Sequence, residues 1–286
     1  MEPNFNEIQQ EILRRAKEAS ACRREYGRAY VAENLSELSE AIKDNFDWVC
    51  AYGVLTVDLI EKYKEDFAAN GIYVNQDAES GYILCSNATV EAYGNATVEA
   101  YGNAMVTAYD NAKVRAYDST TVEACDNTTV AACSNTIVKA YGNSKVEAYG
   151  NAKVEAFDST IVRAYNSTMI QACNNATVKA FDDATVEACG SATVMAHGNT
   201  TVKAYDSATV EAYTNAMVKA YENATVEAHD DAMVEACNNA TVEAYDNAYC
   251  TSYFTIDCKL FGHAIYRVRN ANTVYYADSN IKFAKQ

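Results

Sequence analysis

Residues 87–110 read NATVEAYG, NATVEAYG, NAMVTAYD, three blocks of eight with the same kind of residue at almost every place. The register runs on without insertion or deletion to residue 254, so 21 units begin at every eighth position from Asn87 to Asn247. Position four is Val in every unit except those with Ile170 and Cys250, and position six is Ala in every unit except the one with Ser252. Position two is Ala, Thr or Ser, position one is Asn, Ser or Asp, and position eight is mostly Gly, Asp, Asn or Ser.

Within an octad, Ala88, Val90 and Ala92 alternate with Thr89, Glu91 and Tyr93. Alternation at period two is the signature of a strand with one small apolar face. Positions eight and one, as in Gly94-Asn95 and Asp110-Asn111, supply residues that tolerate a positive φ and bond locally, which a sharp corner requires. One short strand cannot bury its face alone, but equivalent strands stacked about 4.8 Å apart satisfy their backbones and bury the apolar column. The sequence therefore predicts a mainly β fold, a parallel β-solenoid, right-handed by the crossover rule. Its core column is Val90, Val98, Val106, Val114, Val122, Val130, Val138, Val146 and Val154 and their successors.

A coil of two octads and a coil of three both fit the pattern. The inward set of Ala and Val favours two closely packed sheets. Charges at position five point the same way. At a spacing of 16 residues, six pairs are opposite in sign and four alike, whereas at 24 five are opposite and seven alike. Sixteen residues per coil is the expectation, giving a rod on the order of 50 Å long.

Four segments follow. Residues 1–70 read as a small helical N-terminal cap, 71–86 as transition strands, 87–254 as the solenoid and 255–286 as a β-rich C-terminal cap. Residues 1–21 read as one charged helix, with Phe5, Ile8 and Ile12 on one face. A second helix is expected to start at Asn34, with Glu37 completing a capping-box-like pattern. A third is expected from Asp58, burying Leu59, Ile60, Tyr63 and Phe67 and ending at Asn70-Gly71. After residue 254 the octad breaks, and Ile256, Leu260, Ile265, Val268, Val274 and Ile281 are expected to continue the stack and close it.

The chain carries 39 acidic and 23 basic residues, a formal charge of −16. Residues 87–254 hold 21 of the acidic and nine of the basic residues. This balance argues against direct nucleic-acid binding, which rests on Lys and Arg at phosphates. No secretory h-region opens the sequence and no apolar run of about 20 residues spans a membrane, so a soluble cytoplasmic protein is expected. None of the ten Cys forms a C-x-x-C pair, and in a cytoplasm they are expected to be free thiols.

Position seven is the most distinctive surface feature. From Cys85 to Tyr253 it holds twelve Tyr, six Cys, two Phe and two His, and never a charge. The candidate surface ladder is Tyr93, Tyr101, Tyr109, Tyr117, Tyr141, Tyr149, Tyr165, Tyr205, Tyr213, Tyr221 and Tyr245. Such a ladder either binds a flat or polymeric partner or stacks on itself to stabilise the coils. Free replacement of Tyr by Cys favours the second reading. Cys173 and Cys189, 16 apart, are expected to be stacked neighbours, with His197 near in sequence. Without metal-ligand spacing, they read as ladder filling. The Thr column at position three is broken by Lys113, Lys145 and Lys153, which weighs against an ice-binding array. Arg14, Arg15, Arg23, Arg24 and Arg28, read as lying on the first helix, form either a docking patch or a solvated face. No G-x-S-x-G, H-E-x-x-H, P-loop or G-x-G-x-x-G occurs, so no catalytic, cofactor or metal site is expected.

The leading functional expectation is a non-enzymatic scaffold or protein-binding rod with an unidentified protein partner. The alternatives are an acidic, DNA-mimicking inhibitor of a nucleic-acid enzyme and a self-assembling filament. Four stretches carry a resemblance to a family: EILRRAKEA at residues 11–19, LIEKYKEDF at 59–67, the GNATVEAYGN units, and AYCTSY at 248–253. The chain resembles octapeptide-repeat β-solenoid proteins of gut Bacteroidales and their mobile elements. The resemblance implies a bacterial cytoplasmic setting and a repeat number that varies between relatives, and it implies no activity.

Overall fold

The structure is a computed structural model that describes residues 4–277 and the backbone of 283–285. It is mainly β, a parallel solenoid preceded by short helices. The chain forms two compact units, one of residues 1–123 and 127–129, the other of residues 124–126 and 130–286.

The first unit begins with six helices: α1 (Phe5–Glu18), α2 (Arg23–Val31), α3 (Leu35–Lys43), α4 (Phe46–Ala51), α5 (Val57–Lys62) and α6 (Lys64–Ala69). They enclose one apolar cluster in which Ile8, Ile12, Leu38, Ile60 and Phe67 are fully buried with Ile72 and Val74. Three expectations need correction. The charged N-terminal stretch forms two helices rather than one, so Arg23, Arg24 and Arg28 lie on α2, apart from Arg14 and Arg15 on α1. The third helix is capped two residues earlier, where Thr56 Oγ1 accepts the Leu59 N–H at 3.4 Å. Tyr63, at φ −121° and ψ 40°, then breaks it into α5 and α6, and its hydroxyl donates to Glu7 at 2.7 Å. The Asn34 cap stands as expected, with its Oδ1 accepting the Glu37 N–H at 2.9 Å.

Octad strands alternate between two parallel sheets. In the first unit Tyr82–Ser86, Thr97–Tyr101 and Lys113–Ala116 are successive neighbours in one sheet, and Thr89–Ala92 pairs with Met105–Ala108 in the other. In the second unit one sheet runs from Lys145–Ala148 to Asp257–Leu260 and the other from Ile137–Ala140 to Ile265–Val268. Every octad pairing is offset by 16 residues, for example Val178 against Val194 and Ala180 against Ala196, so the coil is two octads. The Val column from Val90 to Val154 is buried throughout, and positions two and six beside it are equally sealed from Ala92 onward. At position two a hydroxyl that replaces Ala can return to the chain, as Thr120 and Thr160 donate to the Tyr117 and Phe157 carbonyls at 2.6 Å, whereas the Thr168 hydroxyl is buried without a partner.

The coil register outlasts the sequence pattern. Asp257–Leu260 pairs with Thr241–Ala244, and Ile265–Val268 pairs with Tyr249–Ser252, both still at an offset of 16. The expected break at 255 is therefore a break in residue type alone. Larger residues enter the core there: Leu260, Val268 and Tyr266 are buried, and the Tyr266 hydroxyl bonds Ser252 Oγ at 2.7 Å and accepts the Ile256 N–H at 3.0 Å. Ser252 departs from the Ala rule at the position where that hydroxyl needs a partner. Two antiparallel strands, Thr273–Ala277 and Phe283–Lys285, then cover Ile265–Val268. Ile281 lies outside the described residues.

The corners explain position eight. All twenty residues there, from Gly94 to Asp246, have φ between 54° and 73°, yet only six are Gly. A left-handed backbone costs most residues on the order of 1 kcal/mol, least for Asp and Asn. The side chain offsets this cost by reaching to the preceding coil. Asp110, Asp118 and Asp206 accept the N–H of Gly94, Gly102 and Gly190 at 2.9–3.0 Å, and Asp182 accepts that of Asn166 at 2.9 Å. Asp182→Ala removes the acceptor and keeps the strain, so it should lower stability by about 1–2 kcal/mol, whereas Asp182→Gly should stay within about 0.5 kcal/mol of the parent. Denaturant melts of the two variants check this, and equal losses would refute it.

Candidate functional surfaces

The coil sends alternate octads to opposite edges, so position seven is two columns rather than one. In the second unit one column is an unbroken stack of eight rings: Tyr149, Tyr165, Phe181, His197, Tyr213, His229, Tyr245 and Phe261. Centroids stand 4.6–5.2 Å apart with planes within 10°. The other column is punctuated by cysteine. Tyr141 stacks on Phe157 and Tyr205 on Tyr221, but Cys173, Cys189 and Cys237 occupy the places around them. In the first unit Tyr93 stacks on Tyr109 and Tyr101 on Tyr117. Cys133 stands one coil before Tyr149, and from Tyr149 onward the substitution of Tyr by Cys spares the eight-ring column, which a single-column reading cannot foresee.

These rings are half-buried, and their faces are covered by their neighbours. Several of their hydroxyls are engaged as well: Tyr149, Tyr213 and Tyr245 donate to Glu147, Glu211 and Glu243, two residues earlier, at 2.8–3.1 Å. What remains for a ligand is a row of ring edges. The ladder is thus built first to hold successive coils together, at about 0.5–1.5 kcal/mol per stacked pair.

Cys173 and Cys189 are stacked neighbours joined by a disulfide, with Cα atoms 4.7 Å apart. This corrects the expectation of free thiols throughout. The geometry follows from the ladder, since in-register strands place equivalent residues one strand spacing apart. His197 stands in the other column, stacked between Phe181 and Tyr213, so the coil separates it from this pair. Among the described residues no group of three or more His, Cys, Asp or Glu is placed to hold a metal ion, and no helix is long and apolar enough to cross a membrane.

Position five forms a charge ladder. Lys203 meets Glu187 and Lys259 meets Glu243, both at 2.7 Å, Arg163 meets Glu147 at 3.1 Å, and Lys139 and Lys219 lie 3.6 and 3.5 Å from Glu155 and Glu235. The arginine group on the helices is largely committed within its own surface. Arg14 bonds Glu11 and Glu18, and Arg28 bonds Glu25 and Asp44.

One cluster escaped sequence reading. In the first unit Glu99 is fully buried where α4 lies over its strand. Arg115 sits 3.4 Å from Glu99 Oε1 and 2.7 Å from Asp47 Oδ2, while Glu99 Oε2 and the Tyr101 hydroxyl have no hydrogen-bond partner. Burial pushes the Glu99 carboxyl up to about 7, against the opposing pull of Arg115, and burial also pushes the Cys50 thiol well up. The sequence offers no signal for this, because Glu91 occupies the same place in an identical octad and is exposed.

No protein-family model, no curated protein and no solved structure matches this chain.

The Glu99 geometry carries a pH signature. Its folded pKa lies above the unfolded value of 4.5, so the folded state holds the proton through the window from there to about 7. This group's cost is absent below the unfolded pKa, grows as pH rises through the window and is complete above it. Glu99→Gln should therefore stabilise the protein at pH 8 by on the order of 2 kcal/mol, and the gain should shrink toward zero as pH falls below 4.5. Melting both proteins across this range is the check, and parallel curves would refute the assignment.

Proposed function

We propose that the protein is a non-enzymatic repeat scaffold that binds a protein partner in the bacterial cytoplasm, akin to the octapeptide-repeat proteins of Bacteroidales. The observation that carries this reading is an asymmetry between the two outward faces of the second unit. Among its described residues, five aliphatic side chains are strongly exposed, and Ile137, Met169, Met217 and Met233 all lie at position three of the same sheet, with Ile161 alone on the other. The opposite sheet carries Thr177, Thr193, Thr209, Thr225 and Thr241 at that position, one above another. Repeated exposed apolar side chains among polar ones mark contact surfaces, and methionine adapts to irregular partners.

A catalytic role draws no support from the ladders, whose polar groups pair along the stack rather than converge on a point. The acidic-inhibitor reading draws less than composition suggests, because Lys and Arg interrupt the position-five carboxylates, whose longest stacked run is Glu211, Glu227 and Glu243. The cytoplasmic assignment rests on cysteine usage. Cys85, Cys250 and Cys258 are buried thiols outside any disulfide, beside the single disulfide among the described residues.

Affinity capture from a bacterial lysate tests the reading, comparing the intact protein with Met217→Glu/Met233→Glu and with Thr209→Glu/Thr225→Glu. The expected outcome is a protein partner lost with the Met pair and kept with the Thr pair. Equal capture by all three would refute the face assignment. A nuclease or polymerase displaced by duplex DNA would favour the inhibitor instead.

A further inference from the structure

Helix α2 has little packed beneath it. Cys22, its N-cap, and Glu25, Tyr26 and Ala29 follow the spacing of one helical face, yet Ala29 is the one residue of the helix that is buried. Instead of side chains, that face meets a cavity of about 220 Å³ in the first unit. Ile12, Ile42, Val49 and Val54 form its buried floor, and the small side chains of Ala16 and Ala41 keep it wide. Half-buried Tyr26 and Trp48 stand at its rim. Protein interiors leave few voids larger than a water molecule, so a space of this size asks for an occupant.

The void is framed by polar bonds. Gln9 Nε2 donates to the Ala29 and Ala32 carbonyls at 2.9 and 3.0 Å, tying the end of α2 to α1. Arg28 bridges Glu25 and Asp44 at 2.8 Å each. Asn45 Nδ2 donates to Glu25 at 3.1 Å and to the Ala41 carbonyl at 3.0 Å. Helix α2 is thus held against α1 and the corner between α3 and α4 by hydrogen bonds, and the apolar space below it stays open.

We propose that this cavity binds a small neutral aromatic molecule with one hydrogen-bond donor, of the size of a phenol or an indole. Volume sets the size, since a dry apolar cavity of about 150 Å³ is enough to hold benzene. The floor sets the apolar body. The rim sets the polar end. Glu25 is the one charged residue among the described residues that line the cavity. Hydrogen bonds from Asn45 and Arg28 hold its carboxyl below the usual range, so it is ionised and accepts without donating. An O–H or N–H on the ligand therefore finds an acceptor, whereas a carboxylate on the ligand meets like charge.

Titration of the intact protein with para-cresol tests this, read by calorimetry and by the fluorescence of Trp48, the one tryptophan of the sequence. Saturable one-to-one binding is expected, with a Trp48 response and a raised melting temperature. The anionic probe para-toluate should bind about tenfold more weakly or worse. Ala29→Leu and Ala41→Leu fill the space from two different sides, and each should weaken cresol binding about tenfold or more. Melting curves establish that they are folded. Glu25→Gln should narrow the gap between the two probes. Absence of saturable cresol binding to the folded parent overturns the proposal. So does saturable heat without a Trp48 response, or a folded filling variant that binds like the parent. Toluate binding as tightly as cresol overturns the ligand class.

Discussion

Parallel stacking in register at 16 residues is the constraint on which every other feature depends. It places each residue directly above its own counterpart two octads earlier, as with Val186 between Ile170 and Val202. A side chain is therefore selected for compatibility with copies of itself one strand spacing away. Inward positions must be small, since two sheets meet back to back, and Ala and Val satisfy that. Aromatic rings at position seven must lie nearly parallel, and they do, within 10° along the eight-ring column. The corner backbone must repeat a left-handed conformation, and the Asp side chain makes that tolerable by bonding the corner below it.

Much of this was legible because periodicity reports self-compatibility. The Val column, the corners and the sixteen-residue coil all follow from which residue types recur and which are refused. The features that stayed hidden depend on contacts between unlike elements. Glu91 and Glu99 belong to identical octads, yet one is exposed and the other buried beneath α4, so no local reading could separate them. Tyr63 lies on the apolar face of a continuous helical pattern, but its backbone breaks the helix. Past residue 254 the pattern vanishes while the pairing continues, since Tyr266 fills core space that a smaller residue leaves elsewhere and carries a polar tip that only Ser252 and nearby backbone satisfy. The division of position seven into two columns was implicit in the coil period, and following each column separately would have shown Cys173 and Cys189 on one side and His197 on the other.

A repeat that satisfies each unit through its neighbours leaves little over for chemistry. Several carboxylates meet Lys or Arg a coil away, several tyrosine hydroxyls meet the Glu two residues before them, and position-two hydroxyls such as that of Thr160 return to the backbone. Groups engaged along the stack do not converge on a substrate. On the proposed scaffold reading, recognition falls to departures from the repeat, foremost the Met and Ile residues gathered on one sheet.

Position five shows that the repeat is not tuned for stability alone. Lys203 stacks on Lys219, Glu211 on Glu227 and Glu227 on Glu243, beside pairs of opposite sign. Exposed like charges one strand apart cost a few tenths of a kcal/mol each, because water and salt screen them. Each added coil buries two Val and up to four Ala side chains, and at about 25 cal/mol per Å² of apolar area that gain is several times larger. The backbone ladder therefore tolerates unfavourable charge stacking, and outward positions are free to vary without loss of fold. The core column cannot drift in this way, since an unpaired charge there has no solvent to screen it. Surface identity and fold stability are thus nearly decoupled along the array, which lets one architecture carry different faces on its two sheets.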